Sequence, residues 1–308
     1  MSAQLLVAAV PAAVGASVAF GVSSVLQQRA TREVADRKAL RIGLLFDLLK
    51  RPAWLSSLLL DGVGGGLQVL ALATASVALV QPLLVLSVLF AVLGAATFAR
   101  RRPDPITVLA ALCCVLGLGV FLGLARPTEG RSTVTLAEVL PLGVVLAVLL
   151  ALSLVVGARS AGQRRALAWG AGCGILYGAT AGLAKLVLGE FSGGLFAPLA
   201  HWPVYALAVV GIVGFLLNQN AFQASTAIGP VLSVITILDP VAAVVIGVVW
   251  LGEGVRGGVV VSIGEVAALA VMTASVVVLT YRSPHAALAE GAAASRGAPP
   301  HSATRRDG

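Results

Sequence analysis

Residues Asn218 to Glu253 read NQNAFQASTAIGPVLSVITILDPVAAVVIGVVWLGE. The stretch holds a helix end rich in amides, a Gly229-Pro230 break, and a long apolar run interrupted by Asp239-Pro240. A water-soluble core could hold one such run. Here it stands among eight others of similar length, and that context makes it membrane-embedded. An aspartate halfway along a membrane-length helix loses its hydration at high cost, so it marks a candidate functional site.

Composition agrees. The chain has 308 residues, 58% hydrophobic and only 11% charged. Soluble domains carry about 25% charged residues. The net charge of +8 is no nucleic-acid signal, because the basic residues sit in loops between apolar runs and aromatics are only 5%. Cys113, Cys114 and Cys173 all lie inside apolar runs and match no metal spacing or disulfide framework, so they read as small core residues. No HExxH, nucleophile elbow or phosphate loop is present, and the chain does not read as an enzyme or a cofactor binder.

Crossing a bilayer takes about 20 apolar residues. Nine runs meet or nearly meet this: 4–26, 54–76, 82–99, 106–124, 138–157, 167–187, 203–223, 230–250 and 259–281. The first is not a secretory signal, since its basic residues follow the apolar run instead of preceding it. The short run Ala39–Leu49 carries Arg41 and Asp47 and reads as an interfacial amphipathic helix. With nine spans, seventeen Lys and Arg residues fall on one side and three on the other. The positive-inside rule then puts the N-terminus outside and the C-terminus in the cytoplasm of a plasma-membrane protein. Residues 1–281 form the membrane domain. Residues 282–308, rich in Ala, Gly, Pro and Ser, read as a disordered cytoplasmic tail.

The chain also repeats itself. Gly15-Ala-Ser-Val-Ala-Phe20-Gly21, with Gln28 seven residues on, parallels Gly172-Cys-Gly-Ile-Leu-Tyr177-Gly178, with Lys185 seven residues on. Leu79-Val-Gln-Pro82 parallels Ala227-Ile-Gly-Pro230. Spans 1–4 thus match spans 6–9, and span 5 has no partner. An odd offset of five spans turns the second copy upside down, an arrangement that recurs in secondary transporters with the binding site between copies. In this reading Pro82 and Pro230 each open a long helix, and Pro240 breaks one.

These segments resemble the drug/metabolite transporter superfamily, in particular its EamA-like members and the related NIPA-type magnesium transporters. The resemblance rests on LQQRA at Leu26–Ala30, the Trp54 span ending in Ala-Leu-Ala, VQPLLVLSVLF at 80–90, and GPVLSVITILDP with WLGE at 229–253. It covers roughly residues 4 to 281. The Gly-Glu ending at Glu253 fits the family pattern, whereas Arg100–Arg102 stand where a Glu is common. The resemblance implies an all-α membrane transporter that moves a small metabolite or drug-like solute by alternating access. A NIPA-type magnesium transporter is the first alternative, and a non-transporting scaffold subunit the second. The partners implied are the bilayer and a small-molecule or ion substrate. A homodimer is compatible with it.

Asp61, Lys185, Asp239 and Glu265 are ionisable residues inside predicted spans. Asp239 either serves transport at a helix break or caps a half-helix starting at Pro240. Lys185 and Glu265 form an ion pair, or Lys185 meets a substrate anion, or it snorkels to the surface. Gln68, Asn218, Gln219, Asn220 and Gln223 either bond between helices or line a cavity. Glycines 170, 174, 178 and 182 make one small-residue face, and Gly62 and Gly66 another. The metal question stays open at this level, because three acids spread over the membrane do not look like one site.

Overall fold

A computed structural model describes residues 3–32, 52–98, 105–125, 128, 130, 131, 133–224, 228–254, 261 and 263–279. The interfacial run 39–49 and the tail 282–308 lie outside the described residues. The described chain is all helix with two short 3-10 turns, as expected where lipid offers the backbone no hydrogen bonds. We number the helices α1 (Ala3–Arg32), α2 (Pro52–Thr74), α3 (Val77–Leu84), α4 (Leu86–Phe98), α5 (Pro105–Ala125), α6 (Leu136–Arg159), α7 (Gly162–Glu190), α8 (Trp202–Ala224), α9 (Ile228–Val249) and α10 (Ile263–Leu279). Eight membrane-length helices result, with α3 and α4 forming one crossing, while α10 is a shorter apolar helix.

Two clusters organise the packing. α1 lies against α2, α3 and α4, and α7 lies against α6, α8 and α9. Contacts of α7 with α2 and of α9 with α3 join them. α10 packs on α5, where a Cβ on Gly117 would come within 2.9 Å of Met272 Cγ. α6 is the most peripheral helix, touching α7 on one face and exposing leucines and valines elsewhere.

Small residues set the closest approaches. A Cβ on Gly178 would sit 2.5 Å from Asp239 O and 2.8 Å from Ala243 N, so α7 and α9 touch backbone to backbone. Gly174 and Gly182 continue that contact along α9, as the glycine spacing suggested. Gly62 and Gly66 do not share this role. Nothing lies within 4 Å of a Cβ at either, and both are exposed. On α2 it is Gly64 that packs, against the Phe20 ring.

The prolines behave differently from the sequence expectation. α3 starts at Val77, five residues before Pro82, so Pro82 does not open the helix. It ends it instead. Pro82 supplies no amide, the next turn tightens to a 3.3 Å bond from Val85 N to Pro82 O, and Ser17 Oγ of α1 donates to Leu83 O at 3.0 Å. Pro230 does fall in the first turn of α9, where a missing amide costs nothing. Pro240 does not break α9, which runs through it to Val249. Asp239 is therefore inside a helix and is not the cap of a half-helix. The cost of Pro240 is confined to the Thr236 carbonyl, which loses its helical partner.

Candidate functional site

Mid-bundle, α7 and α9 bring together the first group of candidate side chains. Asp239 Oδ1 is buried and has no hydrogen-bond partner. Its backbone packs on Gly174 and Gly178, which brackets Tyr177 on the same turn of α7. The Tyr177 ring rests against Gly214 of α8, and Cys173 Sγ contacts Gly214 O at 3.5 Å. Asp239 of α9 and Asp61 of α2 both lie within electrostatic range of the Tyr177 phenol. Three helices from both ends of the chain thus contribute polar groups to one region.

The amides divide. Asn218 Oδ1 is buried without a hydrogen-bond partner. Asn220 turns back on its own helix, its Nδ2 donating to Leu216 O at 2.7 Å. Gln68 and Gln219 are half-buried. The side chain of Gln223 lies outside the described residues. The interior therefore offers bare oxygens at Asp239 and Asn218, on neighbouring helices α9 and α8.

The remaining two charges lie elsewhere. Glu265 Oε1 on α10 is buried without a hydrogen-bond partner. It does not pair with Lys185, contrary to the ion-pair expectation. The Lys185 ammonium instead donates to the carbonyls of Leu72 and Ala75, both at 2.6 Å. Those carbonyls are at the C-terminus of α2, where unpaired backbone oxygens and the helix dipole attract a cation.

Opposite this contact stands a residue that the sequence reading passed over as a helix ending. Glu253, only 2% exposed, accepts from the amides of Val77 at 2.6 Å and Ala78 at 2.8 Å. These are the first amides of α3. Ser76, in the N-cap position, makes no side-chain cap bond, and Glu253 takes that role from the other end of the chain. A left-handed Gly252 (φ +62°) turns the chain after α9, and Glu253 N returns to Gly247 O at 3.0 Å. The loop is braced by Thr128 N on Gly254 O at 3.0 Å and Arg131 N on Leu251 O at 2.6 Å. Lys185 and Glu253 thus hold the two sides of the α2–α3 break. The hydroxyl of Ser76, the amide nitrogen of Gln81 and the indole N–H of Trp250 are buried near it without hydrogen-bond partners. Among the described residues, no three His, Cys, Asp or Glu side chains come together as a metal cluster.

Comparison with known proteins adds the following. The sequence profile of the family described as Magnesium transporter NIPA matches residues 5–160, the span from α1 to the end of α6. An uncharacterized protein of Corynebacterium glutamicum is 25% identical over 254 residues, covering 82% of this chain and 87% of that protein. No solved structure matches. Asp61, Gln68, Ser76 and Gln81 fall inside the profile match, whereas Lys185, Asn218, Asp239 and Glu253 lie beyond it.

Proposed function

The chain belongs to the NIPA magnesium-transporter family, and on that premise we propose that it carries Mg²⁺ across the membrane through the region around Asp239. One observation carries this reading: Asp239 offers a buried oxygen with no protein partner, in the interior of a bundle of membrane-length helices. Such a group calls for a cation or a proton. Mg²⁺ gives up its hydration shell reluctantly and binds through one or two carboxylates with several waters kept. Asp239 with Asp61 nearby, and the Asn218 carbonyl as a further acceptor, suits a partly hydrated ion better than a dry cage.

A bare ammonium inside the bundle, such as that of Lys185, would repel a dication. This one is held by the α2 carbonyls, which removes much of that objection. Family membership likewise reverses the order of the two substrate readings, putting the ion ahead of a metabolite or drug-like solute. A scaffold without transport needs no buried acids and is the weakest of the three.

Alternating access between two inverted halves is the mechanism we propose. The packing supports it. Phe20 of α1 sits on Gly64 of α2 as Tyr177 of α7 sits on Gly214 of α8. A Cβ on Gly21 would meet Ser87 O, Phe90 Cβ and Ala91 N, and one on its repeat equivalent Gly178 would meet Asp239 O, Ala242 Cβ and Ala243 N. Both sets are a carbonyl, the Cβ three residues on, and the amide four residues on. In a two-copy transporter the binding region falls between the copies.

The test is uptake by the full chain in proteoliposomes carrying a Mg²⁺-sensitive dye, with a metabolite panel run in parallel. Saturable Mg²⁺ entry that Asp239→Asn removes is the expected result. Metabolite exchange without ion flux would return the first place to the solute reading.

A further inference from the structure

We propose that Lys185 and Glu253 form the outer latch of the transport path, closing it by holding the α2–α3 break from both sides. The inference rests on the alternating-access reading and names residues for it. Four observations converge. The break lies at Ala75 and Ser76, both 0% exposed, at the end of the predicted span 54–76 and beside the short connection that the nine-span count puts outside. The end of α2 belongs to the first cluster and α3 touches both, whereas Lys185 and Glu253 belong to the second. Each charge makes a two-point contact with one helix end, cation on carbonyls and anion on amides. Both of these two-point contacts are made to backbone groups, which rigid movement of one cluster against the other can release.

The chemistry suits a latch. A charge on a helix end of the opposite sign is favourable, and a charge-assisted bond is stronger than a neutral one. The two charges cancel, so the closed state leaves no net charge at the break. When the clusters part, each charge and each freed backbone group is met by water. The buried hydroxyl of Ser76, without a hydrogen-bond partner, shows that the closed arrangement leaves polar atoms unsatisfied. This makes opening easier than in a fully satisfied interface. Glu253 also depends on space. A Cβ on Gly247 would fall 2.5 Å from Glu253 Oε2 and 3.1 Å from its Cδ. Glycine there leaves the carboxylate room to reach α3, and a methyl group would push it aside.

The experiment reads access and not flux. A cysteine at Ser76 (Ser76→Cys) is labelled with a membrane-impermeant maleimide in sealed vesicles of known orientation. The chain without that substitution gives the background from Cys113, Cys114 and Cys173. Slow labelling is expected with the latch intact. Glu253→Gln and Lys185→Met should each raise the rate about tenfold or more, from the outer side only, as the loss of a charge-assisted hydrogen bond implies. The double variant should gain little over either single one, because both residues hold one break. Gly247→Ala should act like Glu253→Gln, since it displaces the carboxylate without removing it, and it serves where a charge variant fails to accumulate. Unchanged labelling in properly folded Glu253→Gln and Gly247→Ala protein would overturn the latch, as would faster labelling from the cytoplasmic side. Because no transport is measured, a latch that opens in a chain that moves no Mg²⁺ would overturn the substrate reading and leave this one standing.

Discussion

Asp239 can be neutralised without touching the backbone, which makes it the sharpest probe at the scale of single residues. It sits inside α9, so replacing it removes no helix cap. Its Oδ1 has no hydrogen-bond partner, so replacing it strands no donor. Asp239→Asn and Asp239→Ala should therefore be at least as stable as the parent chain in thermal unfolding, since a buried unsatisfied group costs about 1–3 kcal/mol. Transport should nevertheless fall about tenfold or more in both, the effect of losing about 1.4 kcal/mol of cation binding. Full activity in both variants would move the ion-binding role away from this residue. The carboxylate was legible in the sequence because a charge amid apolar residues stands out. The partners of Lys185 were not legible. They are backbone carbonyls more than a hundred positions away, at a helix end whose exposure depends on a break that side-chain patterns do not reveal. Glu253 was missed for the complementary reason, since its partners are amides.

At the scale of helices, the same glycine spacing has two meanings. Gly174 and Gly178 meet α9 backbone, whereas Gly62 and Gly66 meet nothing within 4 Å. Spacing alone shows that one face is small. It does not show whether a neighbour uses that face or lipid does. The two cases predict opposite outcomes. Gly178→Ala drives a methyl group into Asp239 O and Ala243 N, which cannot move as a side chain can. It should destabilise by about 1–3 kcal/mol and lower the melting temperature in detergent. Gly62→Ala and Gly66→Ala meet no neighbour and gain helix propensity, by up to about 1 kcal/mol, so they should melt at or above the parent temperature. A reversed order would mean that α2, and not α7, carries the tight contact. Helix boundaries show a related limit. The apolar run suggested a start at Pro82, yet α3 begins at Val77, because Glu253 satisfies amides that would otherwise favour an unwound chain.

For the whole molecule, the structure joins features that the sequence assigned to one face. The loop before α6 bonds to the loop after α9 through Thr128, Arg131, Leu251 and Gly254. The α2–α3 break reaches the same place, its α3 side through Glu253, while Lys185 holds its α2 side. Four crossings separate the two loops in the nine-span count, so an even number returns both to one side. That agreement fixes which segments share a face, and the charge count decides which face it is. Seventeen Lys and Arg residues lie on the opposite side against three on this one, so the joined loops should be outside. Reporter fusions after Arg51, Arg102 and Arg165 should accordingly report cytoplasm, and one within the Phe191–Ala200 segment should report the outside. The C-terminal fusion carries the remaining question. α10 spans 17 residues, Ile263–Leu279. At about 1.5 Å per residue that is a few ångströms short of a hydrocarbon core of about 30 Å. The sequence on both sides of it, Val259–Val261 and Thr280–Tyr281, is apolar enough to supply the rest. A crossing α10 puts the C-terminus in the cytoplasm with the other basic segments. A C-terminal reporter active outside would leave eight crossings and place the Arg-rich tail against the charge rule. It would also turn Glu265 into an interfacial residue, no longer one held within the membrane.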